Sequence, residues 1–351
     1  MDVSLFDFEL PAELIALRPA VPRDSARMLV VHRDGQLEHA VVRNLPDCLR
    51  SGDLVVVNDT KVIPSRLRGR RFRRAGDEGN GAKIELMLHK RIGSDRFLAF
   101  ARPAKKLIAG DRLQLGEALS ASVIERRTAG EVEVKFDSAG VELDSAILAH
   151  GEMPLPPYIA GRRKADARDV LDYQTTFAAH EGSAAAPTAG LHFTPELLAA
   201  LTQKGIAREN VTLHVGAGTF LPVTAKDTAQ HRMHAEAATL SDDTAARLNA
   251  VRGQGGQIVA VGTTSLRTLE TAAADNRIFA PFAGETSLFV TPGYQFKSAD
   301  ILLTNFHLPR STLFMLVCAF SGIETMKRAY AEAIRKRYRF YSYGDACLLF
   351  R

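Results

Sequence analysis

The sequence predicts an α/β main domain, a mixed sheet with flanking helices, into which a small all-β, barrel-like domain is inserted. Buried-type strands alternate with helical patterns at both ends of the chain, a rhythm typical of open α/β sheets. The part between them contains only short alternating runs separated by glycine-bearing turns, which is typical of a small barrel or sandwich. We therefore assign residues 1–65 and 151–351 to a discontinuous α/β domain and residues 66–150 to the insertion.

The composition is that of an ordinary globular protein with a mild basic excess. The 351 residues are enough for about two domains, and the formal net charge is +5. This excess favours a polyanionic partner such as nucleic acid, but bulk charge alone is weak evidence. The three cysteines form no CxxC pair, so a thiolate zinc site is not supported and a reducing cytoplasm fits best. We expect no membrane span, because Asn305, His307 and Arg310 interrupt the most apolar stretch.

The N-terminal part of the α/β domain supplies two strands and a polar loop. Met28–Val31 and Leu54–Val57 are predicted strands, after a short helical piece over Ala12–Leu17. Asn58 and Asp59 follow the second strand directly. These residue types favour turns for their own reasons, so the loop is either a satisfied turn or a ligand contact.

The inserted domain is predicted from five alternating runs: Lys83–Leu88, Arg96–Ala101, Arg112–Leu115, Leu119–Ile124 and Glu131–Phe136. Its leading edge, Arg66–Arg74, is the densest basic run in the chain. Such a run is either a solvated edge strand protected by charge or a strand whose alternate arginines face a phosphate backbone. The sequence leaves both interpretations open.

Three segments share one layout, in which a strand pattern is followed by glycine and hydroxyl residues. They are His214–Phe220, Gly262–Arg267 and Asn305–Thr312. In open α/β sheets such junctions line the ligand crevice, and helix N-termini suit a carboxylate, phosphate or ribose. Any single hydroxyl residue is more simply explained as a helix cap, but the repetition of the layout favours a shared polar site.

Histidine is the side chain most easily tuned for proton transfer near neutral pH. His192 precedes a predicted helix that Thr194 caps and Pro195 begins, and His307 lies in a similar polar loop. His214 lies within a predicted strand, Val211–Val215, in which Val211, Leu213 and Val215 alternate with Thr212 and His214, and it is either part of the site or an outward strand residue.

The segment His231–Glu236, HRMHAE, contains residue types that bind metal ions, but their spacing does not define a metal site. His231 and His234 share a face only on a helix, and no third ligand is fixed. The sequence contains no GxGxxG, P-loop, GxSxG or HExxH pattern. Dinucleotide hydride transfer and P-loop phosphoryl transfer are therefore poorly supported.

Seven segments together resemble the S-adenosylmethionine:tRNA ribosyltransferase-isomerases of queuosine biosynthesis. They span almost the whole chain: Gly52–Gly69, Pro154–Ile159, Ala185–Leu198, Val211–Val223, Val261–Glu270, Leu302–Val317 and Tyr338–Leu349. Departures are small, with Leu17, Arg310 and Cys347 standing where family members more often carry Gln, Lys and an apolar residue.

The resemblance implies that the ribosyl part of S-adenosylmethionine is transferred to the aminomethyl group of 7-aminomethyl-7-deazaguanine (preQ1) at a tRNA wobble position. Isomerisation then gives epoxyqueuosine, with release of adenine and methionine. S-Adenosylmethionine is consumed as a co-substrate, so no separate cofactor is expected. The implied partners are S-adenosylmethionine and a preQ1-containing anticodon stem-loop, and we expect a monomeric, cytoplasmic enzyme.

With this reaction in view, we assign hypothetical roles. The proton-transfer groups would be His192, His214 and His307, with Asp59 and Glu236 as carboxylate partners. The substrate-binding residues would be Thr188, Gly190, Gly216, Gly218, Thr219, Thr263, Thr264, Ser265, Arg267, Asn305, Arg310 and Ser311. The RNA-binding residues would be Arg66, Arg68, Arg70, Arg71, Lys105 and Lys106. We expect no metal; a non-catalytic RNA-binding module and a metal-dependent hydrolase are the competing interpretations.

Overall fold

A computed structural model describes residues 1–73, 81–216 and 225–351. The described strands, numbered in chain order, are β1 (Arg27–Val31), β2 (Leu37–Val41), β3 (Leu54–Asn58), β4 (Thr60–Val62), β5 (Arg66–Phe72), β6 (Ala82–Arg91), β7 (Arg96–Arg102), β8 (Arg112–Gln114), β9 (Ser120–Arg126), β10 (Glu131–Phe136), β11 (His180–Ser183), β12 (Ala207–Leu213), β13 (Glu236–Leu240), β14 (Ile258–Val261), β15 (Phe282–Thr286), β16 (Ile301–Asn305) and β17 (Ala346–Phe350).

The described α-helices are α1 (Leu45–Cys48), α2 (Gly140–His150), α3 (Pro157–Ala160), α4 (Asp169–Asp172), α5 (Pro195–Gln203), α6 (Asp242–Gly253), α7 (Gly262–Ala272), α8 (Thr312–Ser321) and α9 (Ile323–Arg335). Short 3-10 turns occur as well, including one at Thr188–His192. None of the helices in these ranges is long and apolar enough to cross a membrane.

The main element is a mixed sheet whose described strands lie in the order β15-β13-β12-β3-β14-β16-β17-β1-β2. The four neighbouring strands β12, β3, β14 and β16 run parallel, and β17 pairs antiparallel with β16. Antiparallel strands complete both edges. The four parallel strands therefore have their carboxyl ends at the same end of the sheet. The predicted fold class, a mixed sheet with flanking helices, is confirmed.

The central strands are buried on both faces, which explains their continuous apolar sequences. Successive strand residues point to opposite faces. Accordingly, Leu54 and Val56 of β3 belong to one hydrophobic cluster, while Val55 and Val57 belong to the other. Helices α7, α8 and α9 contribute to the first cluster and α5 to the second. The sheet is thereby covered by helices on both sides.

The inserted domain is a closed antiparallel barrel with the strand order β10-β7-β6-β5-β8-β9. Its strands lie between Arg66 and Phe136, inside the predicted range 66–150, and α2 follows them. Its core is a separate apolar cluster, to which α2 adds Leu143 and Ile147. The five predicted strand runs all correspond to barrel strands.

Capping side chains and a glycine define several helix boundaries, and the boundary predicted at Thr194 and Pro195 agrees with the structure. The Thr194 hydroxyl accepts a hydrogen bond from the Leu197 amide, and α5 begins at Pro195. Ser241 caps α6 in the same way. Helix α8 ends before Gly322, whose φ of 89° lies in the left-handed region that glycine adopts readily.

Two sequence predictions differ from the structure. The expected helix over Ala12–Leu17 is only a 3-10 turn at Ala12–Leu14. The strand expected around Val211–Val215 begins earlier, at Ala207, because Ala207 to Val211 pair with β3. Pairing with a neighbour thus extended the strand into a polar stretch that has no strand pattern of its own.

A buried carboxylate holds the segment after β15 against α7. Glu270 is 2% exposed and accepts hydrogen bonds from the Ser298 hydroxyl at 2.6 Å, the Ser298 amide at 2.9 Å, the Lys297 amide at 3.0 Å and the Tyr294 hydroxyl at 3.1 Å. Charged acceptors make the stronger hydrogen bonds in proteins. Glu270, the last residue of the Val261–Glu270 segment, therefore has a structural role.

We predict that Glu270→Gln lowers the free energy of unfolding by about 2 kcal/mol, because an amide nitrogen would face donors and a charged acceptor would be lost. Urea unfolding of the two proteins measures the difference. Glu324→Gln, at an exposed position of α9, is the matched control and should change the value by less than about 0.5 kcal/mol. Equal stability of the Glu270 and Glu324 variants would contradict this role.

Candidate functional site

Polar residues from five parts of the chain meet where the parallel strands end. They surround a small cavity of about 60 Å³, which we call the strand-end pocket. Its polar lining residues are Tyr173, Thr188, Thr263, Thr264, Thr304, Asn305, His307, Tyr341 and Ser342. Strands β14 and β16 are parallel neighbours, so the loops that follow them reach the same place. The predicted convergence of Thr188, Thr263, Thr264, Asn305 and His307 is thus present in the structure.

Asn305, the last residue of β16, is held from both sides by predicted site residues. The Thr188 hydroxyl donates to Asn305 Oδ1 at 3.0 Å, and Asn305 Nδ2 lies 3.2 Å from Nε2 of His192. The amide oxygen accepts from Thr188, so its nitrogen faces His192 as the donor. His192 Nε2 is therefore the acceptor. His192 itself lies behind Asn305 and orients it, and is not among the residues that line the strand-end pocket.

Both buried histidines are neutral at physiological pH. Burial lowers the pKa of His192 to about 4, and burial lowers the pKa of His307 to about 3. His307 Nε2 is 2.9 Å from the Thr304 hydroxyl, and its backbone amide donates to the hydroxyl of buried Tyr330. A neutral imidazole can accept a proton but has none of the extra acidity of an imidazolium. The two residues are therefore candidates for bases rather than for acids.

The N-terminus of α7 also faces the strand-end pocket. The helix begins at Gly262 directly after β14, at a φ of 88°, with no side-chain cap. The Thr264 hydroxyl oxygen is buried and has no hydrogen-bond partner among the described residues. Uncapped N–H groups and a free hydroxyl together suit an oxygen of a bound ligand.

His214 directly precedes Val215, which lines the strand-end pocket, but His214 itself does not line that pocket. Its Nδ1 atom is 2.8 Å from the Thr60 hydroxyl, and burial lowers its pKa. Its ring packs against Gly182, whose φ is 140°; a Cβ there would come within 3.1 Å of the ring. Buried Asp59 accepts a hydrogen bond from the Thr212 hydroxyl at 2.7 Å. His214 and Asp59 are thus near neighbours, but they do not line the strand-end pocket.

His214, Gly216 and Glu236 instead face a larger cavity of about 590 Å³ between the barrel and the sheet, which we call the barrel–sheet cleft. The Gly216 amide donates to Glu236 Oε1 at 3.0 Å. Of the predicted catalytic residues, His307 therefore lines the strand-end pocket, His214 and Glu236 line the barrel–sheet cleft, and His192 and Asp59 line neither. Gly218 and Thr219, which the sequence also predicted as substrate contacts, lie outside the described residues.

The predicted charge clamp Arg267 differs from expectation. It is buried and forms an ion pair with Glu236, and its Nε atom donates to the Leu288 carbonyl at 3.0 Å. Its guanidinium is thus used inside the protein. Arg310 is exposed, with a φ of 56°, and also lies away from the residues that line the strand-end pocket.

Three smaller predicted contacts have local structural explanations. The Ser265 hydroxyl donates to the Val261 carbonyl at 2.8 Å, inside α7. Ser311 caps α8 by accepting from the Phe314 amide at 3.1 Å. Gly190 packs so tightly that a Cβ would come within 2.7 Å of the Phe177 ring. For these positions the structure favours a role in packing or capping.

The predicted RNA-binding residues also divide. Arg66 is buried and donates to the Leu155 carbonyl, and Arg71, with 12% of its side chain exposed, donates to the Lys106 carbonyl. Their guanidinium groups are therefore poorly placed for phosphate. Arg68, Arg70, Lys105 and Lys106 are exposed on the barrel. For these four residues, phosphate contact stays a prediction.

The HRMHAE segment does not form a recognisable metal site. His231 packs edge-on against Phe289, while His234 faces the barrel–sheet cleft. In the part of the chain that the structure describes, no three His, Cys, Asp or Glu side chains are grouped so that they could hold a metal ion.

Sequence reasoning missed Tyr173, Thr304, Tyr341 and Ser342, which line the strand-end pocket. Thr304, Tyr341 and Ser342 lie in segments that carried the family resemblance, so a signal existed. Nothing in the sequence singled out Tyr173, because only the packing of α4 beside the pocket places it there.

The fold and the pocket define an α/β protein that can bind a small polar ligand at the carboxyl edge of its parallel strands. A family model described as "Queuosine biosynthesis protein" matches residues 3–349. The chain belongs to this family.

Curated relatives and a solved structure agree with this result. A Methylobacterium radiotolerans protein named S-adenosylmethionine:tRNA ribosyltransferase-isomerase is 61% identical over 350 residues, covering 100% of this chain and 98% of the relative. A Mesorhizobium japonicum protein of the same name is 58% identical, covering 100% and 98%. The crystal structure of S-adenosylmethionine tRNA ribosyltransferase from Thermotoga maritima is 36% identical with a TM-score of 0.55, covering 99% of this chain and 100% of the other. The predicted family and the predicted enzyme class, a transferase, are confirmed.

The neutral histidines predict a pH dependence of stability. Their pKa values in the folded protein lie below the unfolded value of about 6.5, so the unfolded chain binds more protons as the pH falls. The contribution is complete above about pH 6.5 and is lost as the pH falls toward 4. We predict that His307→Gln flattens the fall of unfolding free energy between pH 6.5 and 4, measured by urea unfolding.

The matched control is His32→Gln, at a partly exposed ring beside Glu38. This variant should keep the wild-type dependence in that interval. A His307 variant with the same dependence as wild type would contradict the buried, neutral state.

Proposed function

We propose that the chain transfers and isomerises the ribosyl group of S-adenosylmethionine onto the aminomethyl group of preQ1 at a tRNA wobble position, releasing adenine and methionine. The observation that carries the proposal is the Thr188–Asn305–His192 network beside His307 at the ends of the parallel strands. The names of the relatives agree with the two substrates. We further propose that the enzyme acts in the cytoplasm as a monomer.

The strand-end pocket suits one end of S-adenosylmethionine. A volume of about 60 Å³ is too small for the whole molecule, since ligand pockets for drug-sized molecules measure roughly 300–1,000 Å³. Its lining of hydroxyl groups, an amide and a helix N-terminus fits ribose hydroxyls or the methionine carboxylate. The adenine would then extend away from the pocket.

The neutral state of the histidines fits a cationic substrate. A protonated imidazole would repel the sulfonium, whereas a neutral ring can accept the proton from the carbon beside it. In this scheme His307 takes that proton, and His192 positions Asn305. The proton donor for adenine is then a group other than these two, because neither holds an acidic proton at neutral pH.

The reaction itself can be tested directly. The protein is incubated with S-adenosylmethionine and a preQ1-containing anticodon stem-loop, and the RNA is weighed by mass spectrometry. The expected result is RNA heavier by one ribosyl-derived unit, with free adenine in equal amount. Failure of the wild type to change the RNA mass would refute the proposed function.

We predict that His307→Gln lowers the single-turnover rate of adenine release by at least about a hundredfold, as loss of a general base does. His192→Gln should lower the rate less, since it acts through Asn305. The matched control is His231→Gln, whose ring packs against Phe289, and this variant should keep the wild-type rate. If the single variants of His192, His214 and His307 all kept the wild-type rate, the assignment of the histidines to proton transfer would be wrong.

For the RNA partner, we predict that replacing Arg68, Arg70, Lys105 and Lys106 by Gln weakens binding of the stem-loop and lowers its salt dependence. Each lost phosphate contact should reduce the slope of log K against log salt by about 0.7–0.9. Titrations at several salt concentrations measure this slope. Lys327→Gln on α9 is the control, and unchanged slopes in the barrel variants would assign these charges to solvation.

A further inference from the structure

The barrel–sheet cleft is a second cavity of about 590 Å³, large enough for a nucleobase. The barrel strands β6, β7 and β10 form one side, and β11, β13 and β15 form the other. It lies beside the strand-end pocket, because Val215 lines the pocket while His214 and Gly216 line the cleft. The segment 181–187 also contributes to both cavities, so two stretches of chain place the cavities side by side.

The barrel side of the cleft carries aromatic side chains. The His89 ring is stacked on Phe100, with 4.7 Å between the ring centroids and 23° between their planes. Phe97 lies on the same side, with the Arg91 guanidinium 4.5 Å from its ring centroid. Aromatic side chains of this kind are the usual platforms on which nucleobases stack.

The lining of the cleft includes the carboxylates Glu131, Asp144, Glu181, Glu236 and Glu285. Four of them pair with a cation: Glu285 with Lys90, Asp144 with Arg91, Glu181 with Lys61 and Glu236 with Arg267. A cationic group of a ligand is therefore favoured at the remaining carboxylate, Glu131.

Glu131 is the least compensated of these carboxylates. Its Oε1 atom lies 3.0 Å from His89 Nε2, but burial lowers the pKa of His89, so this partner is neutral at physiological pH. Its other partner, Arg127, lies 3.8 Å away and is shared with Glu125 and Glu133. One guanidinium thus faces three carboxylates.

We propose that the barrel–sheet cleft binds the reactive base of the RNA substrate, a purine-like heterocycle that carries a protonated aminomethyl group. The base stacks on the His89–Phe100 pair, and Glu131 binds the ammonium and accepts one of its protons, which leaves the amine free to attack. The attack takes place where the two cavities adjoin at residues 214–216, because the ribosyl group extends there from the strand-end pocket. This assignment rests on the proposed function, since it names the pocket that receives the second substrate.

The test uses isothermal titration of the whole protein with free preQ1 base, with its neutral 7-cyano analogue and with S-adenosylmethionine. Wild type should bind the cationic base at least tenfold more tightly than the nitrile. Glu131→Gln should remove that preference and leave S-adenosylmethionine binding unchanged. Glu125→Gln, which removes another carboxylate partner of Arg127 outside the cleft, should retain the preference.

Phe100→Leu supplies a second variant, which should weaken both bases about equally because it removes the stacking surface and leaves the charge. A Glu131 variant that keeps the preference overturns the assignment. So does a Glu131 variant that loses S-adenosylmethionine affinity instead, since the cleft would then hold the co-substrate. One outcome separates this inference from the proposed function. If the wild type modifies the RNA and the Glu131→Gln variant has the same KM for RNA as the wild type, this inference fails and the proposed function stands.

Discussion

The parallel pairing of β12, β3, β14 and β16 is the constraint on which the site depends. Parallel neighbours end at the same edge, so residues 150 positions apart along the chain become neighbours in space. His214 follows β12, Asp59 follows β3, Gly262 follows β14 and His307 follows β16. A shift of any of these strands would separate the hydroxyl and amide groups of the pocket. The apolar faces that fix this pairing thus also fix the chemistry.

Burial of uncharged polar groups is the second principle of the site. In the Thr188–Asn305–His192 network every hydrogen bond is donated toward His192. The Thr188 hydroxyl donates to the Asn305 amide oxygen, and the Asn305 amide nitrogen donates to His192 Nε2. A charged His192 would break that order by placing two donors against each other. Burial lowers the pKa of His192, and this order of donors and acceptors also favours the neutral ring. Such a network is rigid, which suits a residue that positions another.

The sequence predicted the fold well where periodicity reports burial. Strands such as Leu54–Val57 are apolar on both faces, and caps such as Thr194 act locally, so a short stretch of sequence is enough to predict both. The site was predicted less completely, because its partners are distant in the chain. Nothing near Arg267 indicates that Glu236, on another strand, neutralises it. In the same way, nothing in the sequence around Arg66 indicates that its guanidinium donates to the Leu155 carbonyl.

The placement of His307 in one cavity and of His214 and Glu236 in the other has a chemical rationale. Both substrates carry a positive charge, and holding two cations in one enclosed volume would be costly because like charges repel strongly at low dielectric. Binding the two substrates in neighbouring cavities that adjoin at residues 214–216 reduces that cost. The uncapped start of α7 and the neutral histidines suit the sulfonium nucleoside, while Glu131 beside His89 suits an ammonium. On this view the inserted barrel belongs to the active site, because its aromatic side chains complete the second cavity that the sheet alone leaves open.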